Sequence, residues 1–300
     1  MHSIPYVQTS VFVDQRYPFG GNQLATYWDI EANQALNSEN MQGMALEMNF
    51  SESTFIEKTE RGDCSFKVRI FTPASEIPFA GHPTLGTTFV LKHKNLIAID
   101  VKKTALELGV GPIQVEYLDA HSIEMRQPSP KFGKTIDEPD LVANTIGLSN
   151  DDVDESYPIQ TVSTGFPFLI VPLRNLGAVK GAVPKPDLIL NDLRHLESQE
   201  ILIFSTEAVH SDSHVHARMF APGAGVPEDP ATGSAAGPLG AYLEKYGILK
   251  NHNLGEGIRI EQGFEIQRPS QLVVRVPDEE LSCIYVSGKT RLTAEGTFFI

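Results

Sequence analysis

A chain of 300 residues, 41% hydrophobic and 21% charged, carries enough apolar material for a large core and suggests two domains; wholesale disorder, collagen-like repeats and coiled coils do not fit it. Its formal net charge of -14 at pH 7, with no clustered Lys/Arg stripe, repels phosphate backbones and anionic lipid, so neither nucleic acid nor a membrane is an expected partner. The N-terminus lacks a basic leader, no apolar run reaches about 18 residues, and the two cysteines, Cys64 and Cys283, lie far apart outside any CxxC pattern; a cytoplasmic protein with two packed, reduced thiols is expected.

In chain order, the strand-like VQTSVFV leads to a glycine turn and the apolar run GGNQLATYW, which contains Asn22 and Gln23. Ser38 is placed to cap a helix whose stripe of Met41, Met44, Ala45 and Met48 has the i, i+3, i+4, i+7 spacing of a core-facing surface. Glu47 lies beside the stripe in the last turn. Carbonyl dipoles there disfavour negative charge and partial burial would act the same way, which suits a group that takes up and returns a proton; the competing reading is a solvated helix glutamate. After the strand SFKVRIF, the segment PFAGHPT from Pro78 to Thr84 combines the Gly81 turn, His82 and a helix expected from Pro83 through Leu91. Backbone amides and an imidazole at that turn could converge on an anionic group, or His82 is a plain turn histidine. GVGPIQV at Gly109 to Val115 lacks the third glycine and the helix of a dinucleotide fingerprint, and reads as a hairpin turn.

The proline-rich stretch from Gln127 to Pro139 is the expected lobe boundary, giving an N-terminal lobe of residues 1–128, completed by a returning strand at 289–300, and a C-terminal lobe of residues 129–288. In the second half, His210, His214 and His216 have the alternation of a strand, and a solvated or core-edge strand explains them better than a zinc site. EDPATGSA, from Glu228 to Ala235, holds Asp229 before a proline, the simple start of a turn on its own reading, and then Gly233 and Ser234, the latter a candidate N-cap for a helix ending before Gly247. Arg69, Phe71, Pro73 and Pro78 recur at the same offset as Arg218, Phe220, Pro222 and Pro227, half a chain later. A period that long indicates a duplicated domain with pseudo-twofold symmetry, since solenoid and propeller repeats run at about 20 to 50 residues. Alternating runs such as PIQVEYL, SIEMRQ, GIRIEQG and QLVVRV argue for an α+β protein of sheet-rich lobes with hairpins, in preference to regular parallel β-α-β winding.

MALEMNFSESTF, RIFTPASEIPFAGHPTLG and FAPGAGVPEDPATGSAAG, three ordered motifs covering both halves, closely resemble the phenazine-biosynthesis PhzF-like isomerase family. The resemblance implies the diaminopimelate epimerase-like fold: two related lobes, each a curled mixed or antiparallel sheet around a central helix, with the active site between them, usually in a homodimer. It maps the family's proton-moving glutamate onto Glu47, the histidine of GHP onto His82 and the aspartate of EDP onto Asp229. Gly233 and Ser234 match the family's helix start, which with the Gly81 turn contributes to substrate binding. Asn22 and Gln23 occupy the family's GNP segment, with Gln23 where proline is usual, and this departure alters a pocket wall. Related racemases on this fold use one cysteine per lobe, a pair that this chain lacks at the turns and helix starts.

These readings lead to an isomerase that shifts a proton between carbons of a small carboxylate substrate, with Glu47 as base and acid, His82 and Asp229 tuning or relaying protons, and no metal or organic cofactor implied. The alternatives are an amino-acid racemase or epimerase, and a catalytically weak relative that binds a ligand or a protein, since fold does not imply function.

Overall fold

The computed structural model describes residues 2–28, 36–278 and 280–300. The chain divides into two compact units, one of Met1–Arg126 with Ser287–Ile300, the other of Gln127–Val286.

In the first unit, β1 (Ser3–Val11) pairs antiparallel with β2 (Asn22–Trp28), and α1 (Ser38–Met48) precedes β3 (Glu52–Glu57), which runs parallel to β2. β4 (Phe66–Phe71) follows antiparallel and carries the short β5 (Glu76–Ile77); α2 (Gly81–His93) then crosses to β6 (Lys103–Leu108), parallel to β4. A tight turn at Val110 closes the hairpin of β6 with β7 (Gly111–Tyr117), and β8 (Ser122–Gln127) pairs with β7.

The second unit has its own run of strands and helices. It runs through β9 (Lys131–Ile136), α3 (Pro139–Thr145), β10 (Ile159–Ser163), β11 (Pro167–Pro172), α4 (Leu176–Gly181), α5 (Pro186–Asp192), β12 (Ile201–Ser205), β13 (Val215–Ala221), β14 (Val226–Asp229), α6 (Gly233–Lys245), β15 (Ile258–Gln262) and β16 (Ser270–Arg275). β11 and β12 are parallel, as are β13 and β15, with helices in each crossover. The last strand, β17 (Ile284–Phe299), lies antiparallel to β1 from Ser3 to Val11.

Hairpins are therefore present as the alternating runs indicate, yet each unit also holds two parallel strand pairs joined through helices, which the sequence reading disfavoured. A parallel pair needs a long crossover, and a helix is the compact way to make one. The stretch from Gln127 to Pro139 is likewise not open chain, because β9 forms within it and pairs with β10.

Two helices, α2 and α6, are buried along most of their length, from Gly81 to Leu91 and from Gly233 to Leu243. Burial on every side requires small residues where strands approach: a Cβ on Gly86 would lie 2.5 Å from Leu24 Cδ2. It also requires that hydroxyls be satisfied internally. Thr84 and Thr88 donate to the carbonyls of Ala80 and Thr84, four residues earlier, and Thr87 Oγ1 donates to Thr54 Oγ1, which donates to Thr26 Oγ1. The outer helix α1 lays Met41, Met44 and Ala45 against Ile4, Tyr27, Phe55 and Phe71, as its periodicity anticipates. A second cluster in the other unit packs Val142 of α3, Ile146 just after that helix and Ile189 of α5 against Leu169, Ile201 and Phe220.

The helix starts differ in detail from the sequence reading. Asn37, not Ser38, is the N-cap of α1: its backbone is extended and its side chain accepts from the Asn40 amide at 2.8 Å. α2 starts at Gly81, which puts Pro83 in the third helical position; proline is tolerated there because the amides of the first turn have no intrahelical partner. The N-cap of α6 is Thr232. Ser234 lies inside the helix, and Thr232 makes no side-chain cap because its hydroxyl is committed to Asp229.

Candidate functional site

In the first unit, Glu47 is carried on the last turn of α1, ahead of Asn49, whose left-handed backbone (φ 53°) ends the helix and donates its N–H to Ala45 O. Asparagine tolerates that conformation better than most residues. The helix is fixed to the unit by Gln42 Nε2, which donates to the carbonyls of Thr72 and Pro73 at 2.9 and 3.0 Å, and by Arg69 Nη2, which donates to Ser38 Oγ. Glu47 is exposed. The partial burial anticipated for it is not present, because the stripe that packs the core lies on the neighbouring face.

His82 is the second residue of α2 and only 2% exposed. Its Nε2 stands 3.2 Å from the main-chain oxygen of Gln23 and 3.6 Å from Glu52 Oε2. Burial pushes the imidazole down to about 3, against the upward pull of the Gln23 carbonyl. The ring is therefore neutral at pH 7. Gln23 is half-buried opposite Ser10 on β1, and Asn22 is buried opposite Val11. Gly81 is buried as the first residue of α2, and no side chain caps that helix start.

In the second unit, Asp229 ends β14 and is 5% exposed. Its Oδ2 accepts from Thr232 Oγ1 at 2.5 Å. The Gln262 carboxamide clamps the same turn: Nε2 donates to Asp229 O at 2.8 Å and to Thr232 Oγ1 at 2.9 Å, while Oε1 accepts from Thr232 N at 3.1 Å. Gly233 and Ser234 open α6, both buried. The buried amide of Gln127 holds this first turn, with Nε2 donating to Gly233 O at 2.8 Å and Oε1 accepting from Thr164 Oγ1 at 2.6 Å.

The structure thus brings His82 and Gln23 together directly and joins Asp229 to the start of α6 through Thr232, while Glu47 is carried separately on α1. Glu52, Gln127 and Gln262 are contacts that the sequence reading did not assign. Each stands in a segment singled out for another reason, and no local signal marked it, because β3, β8 and β15 all carry other polar residues.

Of the three histidines of the second half, His210 and His216 share the Glu261 carboxylate, Oε1 accepting from His210 N at 2.9 Å and Oε2 lying 3.0 Å from His216 Nδ1, and both rings meet Phe264. His214 Nδ1 accepts from Arg259 N, His210 lies against the Phe264 ring, and His216 is fully buried with Nδ1 3.0 Å from Glu261 Oε2 and Nε2 2.9 Å from Glu265 Oε1. His216 therefore departs from the solvated or core-edge reading, because two carboxylates satisfy its ring inside the unit. Among the described residues no group of three His, Cys, Asp or Glu side chains is disposed to hold a metal ion. Cys64 and Cys283 are half-buried free thiols, and no helix of the described residues is long and apolar enough to cross a membrane.

Comparison with known proteins adds three findings. The family model described as phenazine biosynthesis-like protein matches residues 9–296. A trans-2,3-dihydro-3-hydroxyanthranilate isomerase of Pseudomonas aeruginosa is 33% identical, over 98% of this chain and 99% of its own length. Among solved structures, the Bacillus anthracis phenazine biosynthesis protein of the PhzF family superposes with a TM-score of 0.88 at 28% identity, covering all of both chains. A probable proline racemase from Agrobacterium radiobacter shares the fold at 9% identity, with a TM-score of 0.68 over 99% of this chain and 93% of its own.

Proposed function

Because this chain belongs to the phenazine biosynthesis-like PhzF family and is one of its isomerases, we propose that it moves a proton from one carbon to another on a small carboxylate substrate, without a cofactor, using Glu47 as both base and acid. The observation that carries this reading is the placement of Glu47, an exposed carboxylate on a helix end that Asn49, Gln42 and Arg69 hold in position. A positioned carboxylate can take a proton from an acidic carbon and return it on the same face. In this reading His82 and Asp229 orient the substrate and tune its acidity, Asn22, Gln23 and Gly81 line the same region of the first unit, and Gly233 and Ser234 offer the helix-start amides of the second.

The finer architecture belongs to the same proposal: the two units descend from one duplicated lobe. Support comes from the shared order of elements and from Arg69 and Arg218, each of which lies over the ring two residues on, Phe71 at 5.1 Å and Phe220 at 5.0 Å. A two-thiol racemase is not supported, since Cys64 precedes β4 and Cys283 precedes β17, away from both helix starts.

The test uses trans-2,3-dihydro-3-hydroxyanthranilate, the compound in the name of the Pseudomonas relative, as the first candidate substrate. In heavy water the wild-type enzyme is expected to deliver deuterium to the product carbon or to retain an internally transferred proton. Glu47→Gln, which keeps shape but removes the proton-accepting oxygen, is expected to lose about 100 to 10,000-fold or more in rate. A folded Glu47→Gln variant with near-normal turnover overturns the assignment.

A further inference from the structure

In the second unit, two strand ends converge beside β13. β12 occupies one edge of β13 from His216 to Phe220, so β14 and β15 share the other. β15 runs parallel to β13 and ends at Gln262, opposite Ala217, while β14 runs antiparallel and ends at Asp229, opposite Met219. The chain beyond the two ends is equally close: a Cβ on Gly263, whose φ is +80°, would lie 2.5 Å from Pro230 O, and glycine permits that approach.

Gln262 spans this junction, and its partners fix its orientation. A main-chain carbonyl only accepts and a main-chain amide only donates, so the contact with Asp229 O identifies Nε2 and the contact with Thr232 N identifies Oε1. Nε2 can only donate, so the Thr232 hydroxyl, 2.9 Å away, accepts from it. The hydrogen of that hydroxyl is then left for Asp229 Oδ2. Threonine at an N-cap ordinarily turns its oxygen to the amides of the first helical turn, yet here no side chain caps α6. All three side chains are buried, so water competes little for these bonds.

We infer that Gln262 is a positioning residue: its carboxamide turns the Thr232 hydroxyl away from α6 and onto Asp229 Oδ2, and so holds the Asp229 carboxylate in one orientation. This rests on the reading that Asp229 belongs to the substrate site, and it makes the aim of that carboxylate depend on a side chain of β15. Gln262 acts only through Thr232. A carboxylate held at one oxygen by a directed donor keeps its other oxygen in a fixed direction, and displacing an acting group by about 1 Å can cost about 100-fold in rate.

The test pairs a spectrum with kinetics on the whole protein. Labelling the aspartate carboxyl carbons with 13C gives the Asp229 signal, assigned by difference against Asp229→Asn. Gln262→Met keeps the length of the side chain and removes its hydrogen-bonding groups. Where it does not fold, Gln262→Glu, which keeps an acceptor for Thr232 N but has no donor, takes its place. Thr232→Val removes the hydroxyl at nearly constant shape, and Thr232→Ser keeps it. The Asp229 signal is expected to move in Gln262→Met and in Thr232→Val and to stay near its wild-type position in Thr232→Ser. In the double variant of Gln262→Met with Thr232→Val it should move no further than in Thr232→Val alone, because the carboxamide acts through the hydroxyl. With trans-2,3-dihydro-3-hydroxyanthranilate, kcat is expected to fall about 10 to 100-fold in Gln262→Met and in Thr232→Val with KM changed less than about threefold, and Thr232→Ser to recover most of the loss. A signal unmoved by the Gln262 variant, or movements that add in the double variant, overturns the relay through Thr232. A moved signal with wild-type kcat, or an effect on KM alone, overturns the positioning role. A wild type that leaves this compound unchanged sinks that choice of substrate, and normal turnover in Glu47→Gln sinks the catalytic reading; in either case the carboxyl signal still decides the relay.

Discussion

Arg218 grips Glu228 in a two-point fork, Nε to Oε1 at 2.9 Å and Nη2 to Oε2 at 2.7 Å, with the two side chains only 6% and 9% exposed. Half a chain earlier Arg69 forks Glu76 in the same way, at 2.8 and 2.6 Å, but there the exposures are 17% and 43%. The geometry is alike and the solvent is not, so the energies should differ. Breaking a buried pair strands a charge at a cost of about 3 to 5 kcal/mol, whereas exposed pairs contribute about 0 to 1 kcal/mol. Because Arg218 Nη1 also donates to Val179 O and Ala182 O, Glu228→Ala should cost about 3 kcal/mol, the lower end. Glu76→Ala should cost under about 1 kcal/mol. Chemical denaturation of both variants checks this, and equal losses would refute it.

The recurrence of Arg-x-Phe was readable because identical residues at one offset need no structural knowledge, and the two ring contacts follow from it, whereas the fork partners Glu76 and Glu228 do not share that offset. The stripe of α1 was readable for the same reason, local periodicity. Helix caps were misread where capping residues cluster: Asn37 and Ser38 are adjacent, and only the backbone angles decide which is extended. Ser234 is an able N-cap on composition, yet the helix starts one residue before it. Contacts such as Gln127 to Gly233, 106 residues apart, and Gln262 to Thr232, 30 apart, depend on strand register and leave no local trace. The burial of His216 escaped notice because its partners Glu261 and Glu265 lie on another segment.

Two helical glycines should respond to alanine with opposite signs. Gly43 is exposed on α1 with nothing within 4 Å of an added Cβ, so Gly43→Ala should stabilise by up to about 1 kcal/mol through helix propensity. On α6, a Cβ at Gly237 would stand 1.8 Å from Gln127 Oε1 and 3.3 Å from Thr164 Oγ1. The same propensity gain applies, but the buried carboxamide can yield only by giving up its bonds to Gly233 O and Thr164 Oγ1. Overpacking of about 1 to 3 kcal/mol plus two lost hydrogen bonds outweighs the gain, for a net loss of about 2 kcal/mol. Thermal denaturation of both variants gives the signs, and stabilisation by Gly237→Ala would disprove the clamp.

The thiols should be bystanders. Burial, reinforced by Asp63, pushes the Cys64 thiol up against the opposing pull of Arg61, so little thiolate is present at neutral pH. Iodoacetamide at pH 7 should label Cys64 slowly and leave isomerase activity intact. Stoichiometric inactivation at Cys64 or Cys283 that substrate prevents would place a thiol in the chemistry.

The two buried histidines, one per unit, should give stability opposite dependences on pH. For His82, burial outweighs the Gln23 carbonyl and sets the folded value at about 3, below the unfolded value of about 6.5. Between those limits the unfolded chain binds a proton that the folded chain refuses, so stability is full above about pH 6.5 and falls with acid by at most about 1.4 kcal/mol per pH unit. For His216, burial lowers the affinity for a proton, but the hydrogen bonds and charges of Glu261 and Glu265 together outweigh it and raise the folded value above the unfolded one. That contribution is full below about pH 6.5 and is lost as pH rises through the raised value. Glu261 and Glu265, held low by His216 against their own desolvation, add to the loss in acid below the usual carboxylate range. Denaturation from pH 3 to 9 of wild type, His82→Gln and His216→Gln separates these effects. The deficit of His216→Gln relative to wild type should be largest below about pH 6.5 and shrink toward alkaline pH. Relative to wild type, His82→Gln should gain ground as pH falls from about 6.5 toward about 3, because it lacks the group that must stay uncharged. A His216→Gln deficit independent of pH would mean that the ring is neutral between its two carboxylates, and the ion-pair account of that site would be wrong.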